Sequence, residues 1–446
     1  MIKRYQKHFQ SKTRSVSEQA EIYIKGLAQA DRKNMERMEE CVVGADEQRL
    51  QHMLTNSKWD HRAVLDQVAL EADKLLGGSP DTGLIVDESG FAKKGSHSAG
   101  VARQWCGRLG KVENCQVGVF SALTRDHRTT LIDFRLYLPK KWTDDTVRCL
   151  KAGIPDEAIV FKTKSTHALE MVKEKRIQGI RFSWVGADGG YGKEPEFLRG
   201  LDNMGETFVV DVHKNQRIYL IDPKPQIPEP TSFKGKKPSK LQAQSNFVQV
   251  DSWAASQRES AWQRLVLRDG ANGKLQVDIL QRLVWLWDGK EEKAHRWHLI
   301  IRREIDSPKT IKYTLSNAKE EMPTIRLAKM QAQRFWVERS LQDGKSESGM
   351  ADYQARKWMA WHHHMALVLM AMLFMLEERM RQSKVRPLLS CSDVEFILKS
   401  LLPKKISGPN DVLHQLDRRH RKRASAIKSS YQRQGLATAT DTPMIM

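Results

Sequence analysis

The sequence predicts an α/β protein: a mixed sheet with helices on its faces, a helical region before it and a β-rich insertion inside it. Three observations predict this class. Two apolar runs, Thr82 to Phe91 (TGLIVDESGF) and Phe182 to Tyr191 (FSWVGADGGY), have the length of buried strands, and each leads to a carboxylate with glycine close behind. Segments with helical periodicity alternate with them. From about His213 onward, six strand-like segments follow one another before helix resumes at Thr324.

Composition sets the bounds. With 446 residues, 40% of them hydrophobic, the chain can hold one large domain with an insertion, or two to three domains. Lys and Arg number 74 against 54 Asp and Glu, a net charge of +20 that favours polyanions, nucleic acid first among them. The longest stretch without Asp, Glu, Lys or Arg runs from Trp358 to Leu376, and only Met365 to Leu376 is continuously apolar. A membrane span needs about 20 such residues, so this reads as a buried core helix, and no membrane partner is expected. No apolar signal segment opens the chain, which predicts a cytoplasmic protein. The cysteines (Cys41, Cys106, Cys115, Cys149, Cys391) form no C-x2-C pair, which argues against a disulfide framework and a structural zinc site. His362, His363 and His364 point about 100° apart on a helix and cannot all reach one ion.

In order, residues 1–80 read as a helical, DNA-binding head: Ser17 to Ala30, Asp31 to Val42, Ala45 to Leu54, and Asp60 to Leu76 closed by Gly77-Gly78. Its first fourteen residues hold Lys3, Arg4, Lys7, Lys12 and Arg14 without an acid, either a flexible phosphate-seeking arm or an ordinary solvated tail. Residues 81–212 read as the first part of a catalytic core. A strand over Thr82 to Phe91 delivers Asp87 to its end, and a Gly/Ser loop follows with Lys93 and Lys94. Gln116 to Leu123 and Thr130 to Leu138 are two further strands, making an antiparallel start. Thr143 to Lys151 and Thr166 to Gln178 are helical, with acids and bases at the ends the helix dipole prefers. The run from Phe182 places Asp188 at a strand end. Glu194 to Met204 is then a helix and Thr207 to Val212 a strand.

Residues 213–323 form the β-rich insertion. Asp222 to Lys240 holds five of the fifteen prolines and reads as an extended connection. Strands are predicted over Asn246 to Trp253, Trp262 to Leu267, Lys274 to Leu280, Leu283 to Trp287, Trp297 to Arg302 and Thr310 to Leu315, with hairpin turns at Asn272-Gly273 and Asp288-Gly289. Its five tryptophans are mostly core by composition. Residues 324–385 complete the catalytic core: a helix runs from Thr324 to about Gly344, and a long helix ends near Arg381. On the first, Arg334 lies about 40° and Lys345 about 20° from Glu338, so the three share one stripe. Such pairs on a solvated helix add only tenths of a kcal/mol, and alone the pattern is weak. Residues 386–446 form a basic tail with a short helix, Ser392 to Leu401. In it Arg418, Arg419, Arg421, Lys422, Arg423 and Lys428 face the single acid Asp417, as a solvated helix or a DNA-backbone arm.

Three antiparallel strands, helix, strand, helix, strand and a final helix make a ribonuclease H-like sheet. In that topology Asp87, Asp188 and Glu338 come together, a hard oxygen donor set for two divalent ions about 4 Å apart.

The residues LIVDESGFAKKGSHSAGVARQWCGRLGKVENCQVGVF (Leu84 to Phe120), WVGADGGYG (Trp184 to Gly192) and RFWVERSLQDGKSESGM (Arg334 to Met350) resemble the DDE transposases of bacterial insertion sequences. The group in question carries a Tyr-x2-Arg-x3-Glu-x6-Lys helix. The resemblance implies Asp87, Asp188 and Glu338 as the catalytic metal-binding triad, with Arg334 and Lys345 on phosphate. It also implies two Mg²⁺ ions, with Mn²⁺ as a substitute, double-stranded DNA (transposon ends and target) as partner, a homodimer in the active complex and a nucleoid-associated protein. Gln331 stands where the signature has Tyr, and Glu88 where many relatives have Asp. Relatives with such an insertion form hairpins at the transposon end, which makes Trp287 a candidate platform for a flipped base, with Trp285 beside it; burial of that face would make both core. The alternatives are a catalytically silent DNA-binding regulator derived from a transposase, and a nuclease or resolvase on the same fold.

Overall fold

A computed structural model describes residues 1–11, 14–229, 238–270, 273–305, 307, 309–406 and 408–433. After a short helical turn, Ile2–Tyr5, the head holds the longer helices α1 (Ser17–Gln29), α2 (Met35–Cys41), α3 (Glu47–Thr55) and α4 (His61–Leu76). The last three start where a side chain caps free N–H groups: Asn34, Asp46 and Asp60. The cap at Asn34 explains why α2 begins four residues later than expected. The basic arm is pinned to the core. Tyr5 and Phe9 are fully buried, and Arg4 pairs with Glu71 and Glu377. Lys12 lies outside the described residues.

Ten strands form one mixed, mostly antiparallel sheet with helices against it. They are β1 (Gly83–Ala92), β2 (Ala102–Cys106), β3 (Lys111–Arg125), β4 (Arg128–Leu136), β5 (Trp184–Ala187), β6 (Phe208–Val212), β7 (Gln263–Gly270), β8 (Gly273–Leu286), β9 (His295–Glu304) and β10 (Ile311–Ser316). Their order is β7-β8-β9-β10-β6-β5-β1-β3, with β2 and β4 sharing the far side of β3. β1 is antiparallel to β3 and parallel to β5, and β5 is parallel to β6. This arrangement is compatible with the ribonuclease H-like expectation. Close approach of β1 to β5 needs glycine: a Cβ on Gly83 would lie 2.4 Å from the Trp184 ring.

The insertion adds β7 to β10 to this same sheet through β10 and β6. Its two expected strands, Lys274 to Leu280 and Leu283 to Trp287, merge into the one strand β8, which stops a residue short of Trp287. Asn246 to Trp253 is a two-residue strand, Val248–Gln249, followed by the helix Val250–Ala255, because Val250, Trp253 and Ala254 bury one helical face. Asp288-Gly289 lies in a longer loop, since the last β8–β9 pair is Leu286 with His295. Asn272 of the other expected turn lies outside the described residues.

The helix expected from Thr324 is broken at Arg334 into α5 (Thr324–Gln333) and α6 (Phe335–Ser346). The long helix α7 (Trp358–Arg381) is, among the described residues, the one helix apolar and long enough to cross a membrane, and it is buried against α1, α3, α4 and β4. Each of its histidines has a partner of its own. His362 Nδ1 meets Trp358 O, His363 bridges Leu54 O and Trp59 O, and His364 Nδ1 meets Tyr23 Oη at 2.8 Å. Burial pushes His363 down to about 4 and His364 to about 3, so both are neutral core groups. Two further helices, α8 (Cys391–Leu401) and α9 (Pro409–Arg433), end the described chain.

Candidate active site

Asp87 sits inside β1 and not at its end. β5 pairs with β1 only over Gly83–Ile85, so Asp87 lies just past the point where β1 loses its parallel neighbour. It is the sheet partner that ends there. Its Oδ1 accepts the Glu88 N–H at 2.7 Å. Asp188 follows β5 directly and caps the helical turn Gly189–Gly192, Oδ1 accepting the Gly190 N–H at 2.9 Å. Glu338 enters from the first turn of α6.

These three carboxylates line one open cleft of about 830 Å³ together with Arg334, Lys345, Arg108 and Trp105. Burial, then the Asp188 charge, push the Asp87 carboxyl up to about 7, against the pull of Arg334. The cleft lining holds the carboxylates of Asp87, Glu88, Asp188, Glu338 and Asp352 against the cations of Arg108, Arg334 and Lys345. Among the described residues no three ligating side chains are already gathered around one point. The reason is local. Arg334 Nη1 holds Glu338 Oε1 at 2.8 Å while its Nε holds Asp211 Oδ2 at 3.0 Å, so Glu338 faces a guanidinium. The donor set, all carboxylate oxygen with Asp87 buried within β1, fits a hard divalent cation.

Asp211 escaped the sequence reading. Its signal was a carboxylate inside the apolar strand TFVVDV. Gln331 Nε2 donates to Thr314 Oγ1, Thr314 Oγ1 donates to Asp211 Oδ1 at 2.6 Å, and Asp211 Oδ2 takes Arg334. The residue that departs from the signature therefore anchors the chain that aims Arg334. Asp211→Asn removes a charge-assisted hydrogen bond worth about 1.5–3 kcal/mol. The expected result is a roughly 10- to 100-fold slower single-turnover cleavage at saturating DNA, with a melting temperature lowered by only a few degrees. A wild-type rate would show that Arg334 holds its place without Asp211.

Lys345, pulled down by burial and then by the Arg108 charge, reaches the same cleft. The other expected DNA contacts lie elsewhere. Lys93 folds inward, donating to Tyr353 O at 3.0 Å and lying 3.3 Å from the centre of its ring, whereas Lys94 is exposed. Trp287 is half-buried just beyond β8, donating to Glu291 O at 2.7 Å, and lines a separate cleft of about 570 Å³ with Lys193, Tyr219 and Trp297. Trp285, also half-buried, pairs through its backbone with Tyr219. In the tail, Arg418 and Lys422 pair with Glu39, Arg419 with Glu40, and Lys422 also with Glu47. Arg421 and Arg423 remain exposed.

A match to the DDE superfamily endonuclease family spans residues 4–274, more than half of the chain, and takes in Asp87 and Asp188. The chain belongs to the DDE superfamily endonucleases. This DDE superfamily endonuclease is 25% identical over 340 residues, 75% of each chain, to the probable transposase for insertion sequence element IS701 of Microchaete diplosiphon. Among solved structures, the NurA nuclease of Sulfolobus solfataricus aligns with 8% identity and a TM-score of 0.26 over 63% of this chain and 85% of that one, too loosely to carry any argument. DDE superfamily endonucleases use divalent metals, and transposases act on DNA.

Proposed function

We propose that this DDE superfamily endonuclease is an insertion-sequence transposase with a ribonuclease H-like core, which binds terminal inverted repeats and cuts and joins DNA strands. The observation that carries the reading is the convergence of Asp87, Asp188 and Glu338 on one cleft that Arg334, Lys345 and Arg108 also line. The three carboxylates would hold two Mg²⁺ ions, or Mn²⁺ in their place. The chemistry supplied there by bound metal is activation of water or a 3′-hydroxyl and neutralisation of charge at the leaving oxygen. Arg334 and Lys345 orient the scissile phosphate, and Arg334 exchanges part of its hold on Glu338 for a phosphate oxygen as DNA enters. Exposed Lys94, Arg421 and Arg423 add affinity along the backbone without reading sequence. Lys93, Arg418, Arg419 and Lys422 would join them only after giving up their present partners. Trp287 serves as the platform for a base taken out of the stack at a hairpinned end. Two copies act together on the two ends.

The test is incubation of the purified chain with Mg²⁺ and a plasmid carrying the sequences that flank its gene. Cuts at the two repeat ends and joined products are expected. Binding without cutting would instead indicate a regulator, and cutting without regard to the ends a nuclease or resolvase.

A further inference from the structure

We propose that Trp105 and Arg108 form a nucleotide-binding lip on the catalytic cleft. Trp105 stacks on an unpaired base beside the scissile phosphate, and Arg108 holds a neighbouring phosphate. The inference rests on the reading of the cleft as a DNA-cutting centre and adds a binding element to it.

Trp105 alone among the chain's twelve tryptophans is exposed, at 53%. A tryptophan left in water forfeits the burial that ordinarily makes the residue useful, so its position calls for a partner. Trp105 lines the cleft that holds Asp87, Asp188 and Glu338. The strand that carries it is fixed there by its neighbour. Cys106 is fully buried and pressed onto Gly90 of β1, three residues beyond Asp87. A Cβ on Gly90 would lie 2.7 Å from Cys106 Sγ and 3.4 Å from its Cα, so only glycine admits this approach. With Cys106 facing down, Trp105 stands on the opposite, outward face of the same strand.

The chain then turns through Gly107–Leu109 and the left-handed Gly110 (φ +61) into β3, which sets the exposed Arg108 at the cleft as well. Arg108 lies close enough to Lys345 for its charge to disfavour the ammonium. Two cations held near one another at the rim of an acidic floor suit an anion between them, and a phosphate beside a stacked base supplies one. Stacking of this kind is sequence-tolerant, so the lip would hold a strand in place without selecting its sequence.

The test uses the full chain without divalent ions, so that no strand is cut, and duplexes ending in the flanking repeat with 5-iodouracil placed singly on either side of the scissile phosphate. Irradiation is expected to give an adduct on the peptide holding Trp105 from one of these positions. Trp105→Ala should weaken end binding by about tenfold, within the 5- to 150-fold range of a stacked base, while Trp105→Phe retains most of the affinity. Because Trp105 is exposed, both variants should melt as the wild type does. Adducts confined to other peptides, together with unchanged affinity in Trp105→Ala, would overturn the lip. A wild-type chain that binds no ends would overturn the cutting-centre reading itself, and the lip with it.

Discussion

Asp188→Asn is expected to lower Mg²⁺-dependent strand cleavage by about a thousandfold or more while leaving the affinity for DNA ends unchanged or slightly increased. The substitution keeps the shape of the side chain and the cap on the Gly189–Gly192 turn, since an amide oxygen can still accept the Gly190 N–H. What it removes is one anionic metal ligand, worth several kcal/mol of transition-state charge stabilisation, and about 4 kcal/mol corresponds to three factors of ten in rate. Binding is spared because the carboxylate repels phosphate and many cations share the affinity. Asp87→Asn and Glu338→Gln should behave alike. A second consequence concerns Asp87, whose carboxyl is raised to about 7 by burial and then by Asp188. Metal-free protein should therefore lose stability as pH rises from about 4 to about 7, where the unfolded chain has already released a proton that the folded one keeps. Asp188→Asn removes one of the causes and should reduce that loss. Thermal unfolding in a chelator across this range reads the effect, and near-wild-type cleavage by either Asp188→Asn or Glu338→Gln would remove the triad assignment.

Asp133→Ala is expected to cost about 3–5 kcal/mol of folding stability. Asp133 is fully buried between α4, β4 and the helix Lys164–Ile177. It accepts Arg62 at 2.8 and 2.7 Å and Arg135 at 2.7 Å, and it pairs with Lys175 at 3.2 Å. Lys175 is itself only 1% exposed, so deleting the carboxylate strands a buried ammonium. Burial alone would raise the Asp133 carboxyl, but Arg135, Lys175 and Arg62 together hold it far below the ordinary range. A group with a depressed folded value contributes stability above its unfolded value near 3.9 and loses it as pH falls below about 4. The variant should therefore unfold at lower denaturant than wild type at pH 7, with the gap narrowing in acid. A difference under about 1 kcal/mol at pH 7 would mean that the helical head docks on the sheet without this cluster.

Much of this architecture could be read from local pattern. The apolar runs at Thr82 and Phe182 are strands because four consecutive apolar residues fit a strand flanked on both sides. Asp60 and Gly77 bracket α4 as caps. Asp188 was placed correctly because its strand and the sequence that ends it are adjacent. Features set by distant partners were not legible. Asp87 is positioned by where β5 stops pairing, which no residue near it announces. β2 alternates Ala102, Gln104 and Cys106 against Arg103 and Trp105, but its five residues lie in a Gly- and Ser-rich setting that reads as loop. The break at Arg334 has no Pro or Gly behind it, and the Asp211 contact that engages Arg334 comes from a strand 123 residues away. The basic arm and tail were read from charge alone, whereas Tyr5, Phe9 and the acids Glu39, Glu40 and Glu47 bind them to the head. Charge runs report composition; only packing decides whether the charges are free.

Whether the three carboxylates hold metal is read most directly by Mn²⁺ binding, followed by electron paramagnetic resonance, to the full chain in complex with a nicked transposon end. Two bound ions are expected in the wild type, and loss of at least one in Asp188→Asn and in Glu338→Gln, with DNA still bound. Equal Mn²⁺ stoichiometry in the wild type and both variants would show that Asp87, Asp188 and Glu338 do not hold the metal.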